Sequence, residues 1–347
     1  MTRPRNPAFV DDTISLRYGA GGGAMRALIE QIFAPGLGDV PGGVGLAAMD
    51  DGAAIPLGDR FLILTTDSHV VQPIVFPGGD IGRLAVCGTV NDLAMMGATE
   101  PLALTCAAVI EDGFAKLTLE KIWWSIREAC IEAGTTIVTG DTKVMRRGEI
   151  DGLILNTAGV GLASRVVRDC ELRPGDKLIV TGTIGDHGLA VLATRAELAL
   201  DTPIASDVAP LNGLVRRALS AGGEAIVAMK DPTRGGLASA LHEMADKSRV
   251  GITLDERAVP VRDEVRAAAE LLGIDPLIVA NEGKAVIGVR AAAADAVLDA
   301  LRAHPLGRAA AVVGVCTDER IGQVIVDTGF GRRLLGEADG ELLPRIC

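Results

Sequence analysis

The chain has 347 residues, enough for two domains, and 48% of them are hydrophobic while only 3% are aromatic, so its cores must be aliphatic. A formal net charge of −11 argues against nucleic acid and anionic lipid surfaces as partners. No apolar run approaches the length of a membrane span, and "MTRPRNPAFVDD" lacks the apolar stretch of a secretory signal.

From about Gly45 to Val326, short apolar runs alternate with amphipathic ones, as in a mixed α/β protein. "FLILTTD" (Phe61–Asp67) reads as a strand. "GGDIGRLAVCGTVNDLAMMGA" reads as a helix, with Leu84, Val86, Val90, Leu93 and Met96 near helical spacing. "PLALTCAAVI" is a strand, and "TLEKIWWSIREACIEAG" is a helix with Gly134 as its stop signal. "TIVTGDTKV" and "GLILNTAGVGLA" are strands that close a first unit near Ala163. The "RPGD" turn marks a boundary before "KLIVTG". A helix after "GDHG", a helix over Val208–Ala221, strand "EAIVAMKD", helix Gly235–Lys247 and strand "VGITL" follow. Helix Arg262–Leu272, strand "KAVIGVR", helix Ala291–Arg302 and strands "AAVVGVC" and "GQVIVD" complete the second unit. Beyond Asp327 the periodic pattern dissolves. The predicted organisation is an arm over 1–43, a first domain over 44–165, a second over 166–326 and a mobile tail over 327–347.

Cys87, Cys106, Cys130, Cys170, Cys316 and Cys347 are scattered without a CxxC pair, and the four His show no zinc spacing. Four of the cysteines sit in apolar stretches, where Cys acts as a small hydrophobe, and a reducing cytoplasm is expected.

Apolar runs repeatedly end on aspartate: Asp50 and Asp51, Asp67, Asp141 and Asp231, while Asp92 lies between apolar neighbours in a helix. Any one of these fits a turn, and Asp231 before Pro232 fits a helix N-cap. As a set at a sheet rim they point to a hard cation, Mg²⁺, with phosphates. There is no GxxxxGK[ST]. Instead, "YGAGGGAMRALIEQIF" can wrap a nucleotide with backbone amides, and "DPTRGGLASAL" and "PGGDIGRLA" place glycines at helix starts that favour anions. Lys143 in "TGDTKV" and Glu282 with Lys284 in "NEGKAV" could bind phosphate or relay protons in a cleft. His69 in "TTDSHVV" reads as structural. On composition alone, the terminal Cys347 in "LPRIC" is a frayed end.

The blocks "TTDSHVVQPIVFPGGDIGRLAVCGTVNDLAMMGA", "TGDTKVMRRGEIDGLILNTAG", "GTIGDHG", "DPTRGGLA", "NEGK" and "LPRIC" together resemble the hydrogenase-maturation HypE family of carbamoyl dehydratases, within the PurM-like (AIR synthase-related) superfamily. The resemblance implies two α/β domains, with the first domain's sheet completing a barrel in a homodimer, a C-terminal α/β sandwich and ATP in a cleft at the dimer interface. It implies ATP and Mg²⁺ as cofactors and assigns Asp51, Asp67, Asp92, Asp141 and Asp231 as metal or nucleotide ligands. Gly140, Thr142, Arg234, Gly21 and Gly22 join them at the nucleotide. Lys143 and Glu282 match the groups around the reacting cysteine. Cys347 matches the thiol carbamoylated by a HypF-type transferase, then converted to a thiocyanate whose cyanide passes to a HypC–HypD complex. The family's arm usually reads HGSGG; Tyr18 and Ala20 depart from it, which removes side-chain contacts but not backbone ones. Other readings are a selenophosphate synthetase or thiamine-monophosphate kinase of the same superfamily, and a non-enzymatic thiol carrier of metal.

Overall fold

The computed structural model describes residues 12–19, 21–196, 203–336 and 346. After a short helix α1 (Gly22–Leu28), the chain builds a five-stranded sheet from β1 (Ala53–Leu57), β2 (Arg60–His69), β5 (Pro101–Glu111), β6 (Ile137–Met145) and β7 (Leu153–Ala163), in the order β1-β2-β7-β5-β6. β3 (Val75–Phe76) and β4 (Gly79–Asp80) form a small separate hairpin. β1 carries Pro56, which a sheet tolerates at its edge because proline donates no ladder bond. β5 and β6 are parallel, joined by helix α3 (Lys116–Ala133). Gly134 ends α3 in the left-handed conformation at φ 71°, as its stop signal predicts.

Helix α2 (Ile81–Met95) packs against this sheet and α3. Every residue of it is buried except Arg83 and Asp92, so its sequence shows little amphipathic contrast. Asp80 caps it, accepting from the amides of Gly82 (2.8 Å) and Arg83 (2.9 Å). Those amides, expected from "PGGDIGRLA" to bind an anion, are therefore already engaged by the chain's own carboxylate.

The second unit is a seven-stranded sheet of β8 (Lys177–Val180), β9 (Ile226–Lys230), β10 (Gly251–Asp255), β11 (Val286–Val289), β12 (Ala311–Thr317), β13 (Val324–Asp327) and β14 (Arg332–Leu334), in the order β14-β13-β10-β12-β8-β11-β9. Its helices are α4 (Asp186–Arg195), α5 (Asn212–Gly222), α6 (Gly236–Ser248), α7 (Asp263–Leu272) and α8 (Ala294–Arg302). The expected helix over Val208–Ala221 begins only at Asn212. Ala209 precedes Pro210, which disfavours helical backbone, and 208–211 runs buried along the seam between the two sheets' layers. The sheet also continues past Asp327. A tight turn over Thr328–Gly331 returns the chain as β14, and Leu335 is buried with its carbonyl accepting from His242 Nε2 at 2.8 Å. The pattern was missed because β14 is three residues long with every side chain exposed.

Buried asparagines join the two units. Asn91 of α2 donates to the carbonyls of Ala209 and Glu282 (both 3.2 Å) and accepts from the Leu211 amide (2.7 Å). Asn212 donates to the carbonyls of Thr99 (3.2 Å) and Ala133 (2.9 Å). A buried amide left unpaired is costly, so these bonds fix how the layers meet. Among the described residues no helix is long and apolar enough to cross a membrane.

Candidate active site

A cavity of about 600 Å³ opens where α1, β2, α2, the end of β9 and the start of α6 converge, and Glu282 forms part of its wall. It is lined by Gly21, Gly22, Asp51, Asp67, Asp92, Asp231, Arg234 and Glu282, eight of the residues singled out from sequence. Gly140, Asp141, Thr142 and Lys143 are not brought to it. They lie on the exposed edge strand β6, where Lys143 Nζ stands 3.6 Å from Asp141 Oδ2 and both side chains are largely in solvent. Asp67 and Asp141 also prove to be within strands rather than at their ends, because pairing continues past them; Asp67 faces Thr157 of β7. Asp231 follows β9 but is no helix cap, since α6 starts five residues later. Cys347 and Ala20 lie outside the described residues, while Tyr18 is buried.

The local chain explains these placements. Gly21 (φ 81°) and Gly22 (φ 65°) take left-handed backbone, and a Cβ on Gly21 would come 3.2 Å from the Arg234 carbonyl oxygen. The arm thus packs against "DPTRGG" through a contact only glycine allows without strain. Gly88 of α2 likewise leaves room for Asp67: a Cβ there would lie 3.3 Å from Asp67 Oδ2 and 3.0 Å from His69 Cε1. Buried His69 stands 3.4 Å from Asp67 Oδ2 through Nε2, behind that carboxylate and outside the cavity lining.

The site is crowded with negative charge. Burial pushes Asp92 well above the usual carboxylate range, and Asp231, Asp67 and Asp51 push it further; Thr65 donates to it at 2.8 Å. Asp231 is pushed up to about 8 by burial and by Asp51. Burial likewise lifts Glu282 well above its ordinary value, reinforced by Asp231, Asp67 and Asp207 and opposed by Arg234, and its Oε1 has no hydrogen-bond partner among the described residues. Repulsion of this kind favours a cation among these groups. As folded, no three His, Cys, Asp or Glu side chains among the described residues are gathered around one point.

Sequence reasoning missed the countercharges. Burial disfavours the cation of Lys230, yet Asp51 (2.7 Å), Glu243 (3.3 Å) and Asp169 (3.7 Å) hold it charged. Lys247 pairs with Asp169 at 2.6 Å, and Arg168 with Asp50 at 2.8 Å. The lysine ending an apolar strand in "IVAMK" was an available signal. Buried Asp207 was also missed. It accepts from the amides of Glu282 and Gly283 (both 3.2 Å) and from Lys284 Nζ (2.9 Å), and so shapes the loop that carries Glu282.

The AIR synthase related protein N-terminal domain family matches residues 49–163, and the corresponding C-terminal domain family matches 173–327. Carbamoyl dehydratase HypE of Rhizobium leguminosarum bv. viciae is 49% identical over 338 residues, spanning 96% of this chain and 95% of its own. The chain belongs to the HypE family of carbamoyl dehydratases. Among solved structures, a HypE–HypF complex matches with TM-score 0.84 at 45% identity, covering 90% of this chain and 100% of that one. A HypE in complex with ATP matches with TM-score 0.80 at 41% identity, covering 96% and 100%. HypE-family membership also settles the fold as PurM-like, in line with the sequence resemblance; the two sheets and their helices are its N- and C-terminal domains.

Proposed function

We propose that this chain uses ATP to dehydrate a carboxamide carried on its own Cys347 to a thiocyanate, supplying cyanide for the iron centre of a [NiFe]-hydrogenase. The observation that carries this reading is Glu282: a buried carboxyl with an unpartnered oxygen in the wall of a cavity lined by glycines, carboxylates and Arg234. In the reaction, the carboxamide oxygen of Cys347–S–C(=O)–NH₂ attacks the γ-phosphorus and ADP leaves. Loss of the two N–H protons then forms C≡N as the C–O bond breaks and phosphate departs with the oxygen. Glu282, in its ionised form, takes a proton from nitrogen through the oxygen that the fold leaves unpartnered. Arg234, whose guanidinium reaches to 4.0 Å from Asp67, offsets charge on the transferred phosphoryl group. Gly21, Gly22 and the amides ahead of α6 approach the phosphates through backbone.

Mg²⁺ fits the donor set. Asp51, Asp67, Asp92 and Asp231 are hard oxygen ligands that repel one another, and Mg²⁺ commonly takes only one or two carboxylates and completes its shell with phosphate oxygens and water. When bound it would neutralise charge on the phosphates.

Asp141, Thr142, Gly140 and Lys143 enter this scheme through a second copy of the chain. The outward face of the five-stranded sheet exposes Leu64, Leu102 and Val138, an apolar surface suited to pairing two sheets into a barrel. Lys143 would then reach its partner's cleft and polarise the carboxamide oxygen. A HypF-type carbamoyltransferase loads the thiol and a HypC–HypD complex accepts the cyanide, in the cytoplasm. A HypE has been crystallised with HypF and another with ATP, which supports the carbamoyl donor and the nucleotide. The test is intact-mass analysis: carbamoylated protein given Mg-ATP loses one water, and Cys347→Ala does not. Carbamoylated protein that keeps its full mass would refute the proposal, and metal bound through Cys347 without ATP-linked change would indicate a carrier.

A further inference from the structure

His187 lies in the first turn of α4, fully buried, and is no part of the cavity wall. Its ring meets Phe76 edge-on, with centroids 5.3 Å apart. Nδ1 is 2.8 Å from Ser206 Oγ, which itself accepts from the Val208 amide at 3.1 Å. Nε2 is 2.8 Å from the carbonyl oxygen of Ile346, the penultimate residue. A carbonyl oxygen only accepts, so Nε2 carries the proton and Nδ1 receives the Ser206 hydroxyl proton. Every polar atom of this chain of bonds is satisfied with a neutral imidazole, which is the form that burial favours.

The Ile346 side chain is buried too, at 4% exposure, and belongs to the same buried apolar cluster as Val71, Phe76, Val191, Val208 and Ala280. These come from both structural units, so the pocket sits on their seam. Ala280 precedes Glu282 by two residues, and Asp207, beside Ser206, holds the same loop. A chain terminus ordinarily frays. Here an apolar pocket and a dedicated donor receive the residue next to the last. The carbonyl that His187 holds is bonded directly to the nitrogen of Cys347, so fixing it restricts where that thiol can go.

We infer that His187 is a positioning residue for the tail: with Ser206 and the Ile346 pocket it latches the last peptide group at the domain seam during dehydration, and its opening frees the thiol for donor and acceptor. The inference rests on the proposed self-dehydration and deepens it. The latch hydrogen bond is buried, so its loss leaves an unpaired carbonyl and shifts the docked–undocked balance about ten- to a hundred-fold.

Two readouts separate the latch from the chemistry. The first is the labelling rate of Cys347 in uncarbamoylated protein by a bulky maleimide, followed on the C-terminal peptide by mass spectrometry. His187→Phe keeps a ring against Phe76 but removes the donor, and Ile346→Ser removes the apolar anchor at the end of the chain. Each should raise the labelling rate at least about ten-fold, and His187→Gln, whose amide can donate to the same carbonyl, should restore protection. The second readout is the single-turnover loss of water with Mg-ATP, which should slow in the first two variants and recover in His187→Gln with the KM for ATP unchanged. Equal labelling in wild type and Ile346→Ser overturns the latch whatever the mass assay shows. Faster labelling with undiminished dehydration overturns the positioning role. Wild type that is protected yet loses no water refutes the dehydratase reading, and the positioning role with it.

Discussion

Replacing Glu282 by glutamine should stabilise the free protein increasingly as pH rises. Glu282 is 3% exposed, its Oε1 is unpartnered, and burial together with Asp231, Asp67 and Asp207 raises its folded pKa well above that of an unfolded glutamate. For a carboxyl raised on folding, the unfolded state releases its proton first. Stability is therefore full below the unfolded pKa of about 4.3 and declines as pH rises towards the folded value, by about 1.4 kcal/mol per pH unit at most. Glutamine has the same shape and does not titrate, so it removes the decline. Urea unfolding of wild type and Glu282→Gln at pH 5, 6 and 7, without nucleotide or divalent ions, should give curves whose separation widens with pH in favour of the variant. Asp92, Asp231 and Asp186 are also raised but occur in both proteins. The same variant should bind ATP and dehydrate poorly, a trade of stability for function. A separation that stays constant across the three pH values would refute a raised Glu282; unchanged turnover would remove it from the chemistry.

Lys230→Met should lower unfolding free energy by about 3–5 kcal/mol in urea, because it leaves Asp51, Asp169 and Glu243 facing one another without their shared cation; a loss below about 1 kcal/mol would mean the cluster is solvated like a surface pair. Asp207→Asn should be destabilised at pH 7, since burial opposes the Asp207 charge but the Lys284 cation and the Glu282 amide outweigh it and hold the pKa low. That contribution is present above the unfolded pKa of about 3.9 and lost as pH falls through the folded value, so the two proteins should converge in acid, as chemical denaturation at pH 7 and pH 3 would reveal. Cys316, pushed up to about 12 by burial and by Asp176, should resist iodoacetamide in the native protein at pH 8, where only about one thiol in 10⁴ is ionised; native labelling of Cys316 at the rate of an exposed thiol would contradict its burial.

Much of the architecture was readable because it is written locally. Apolar period and stop signals placed α2, α3, β5, β7 and most elements of the second unit, and glycines at positive φ marked the arm and the approach to α6. β1 and β14 escaped, one an edge strand with proline and the other three exposed residues, since neither buries a face that would impose a pattern. Acidic residues beside apolar runs were enough to nominate Asp51, Asp67, Asp92 and Asp231 together, and these four do share a cavity. The sequence could not show that Asp141 and Lys143 stand apart from them on an outer strand.

Residue order alone thus determined the elements, the aliphatic cores and the acidic, glycine-rich character of the site. The tertiary structure decided which charges meet: Lys230 with Asp51 across 179 positions, Lys284 with Asp207, and His187 with the Ile346 carbonyl across 159. Periodicity reflects which way a side chain points relative to its own backbone. Pairing of buried charges depends on where separate elements come together, and that is settled only when the two sheets and their helices pack.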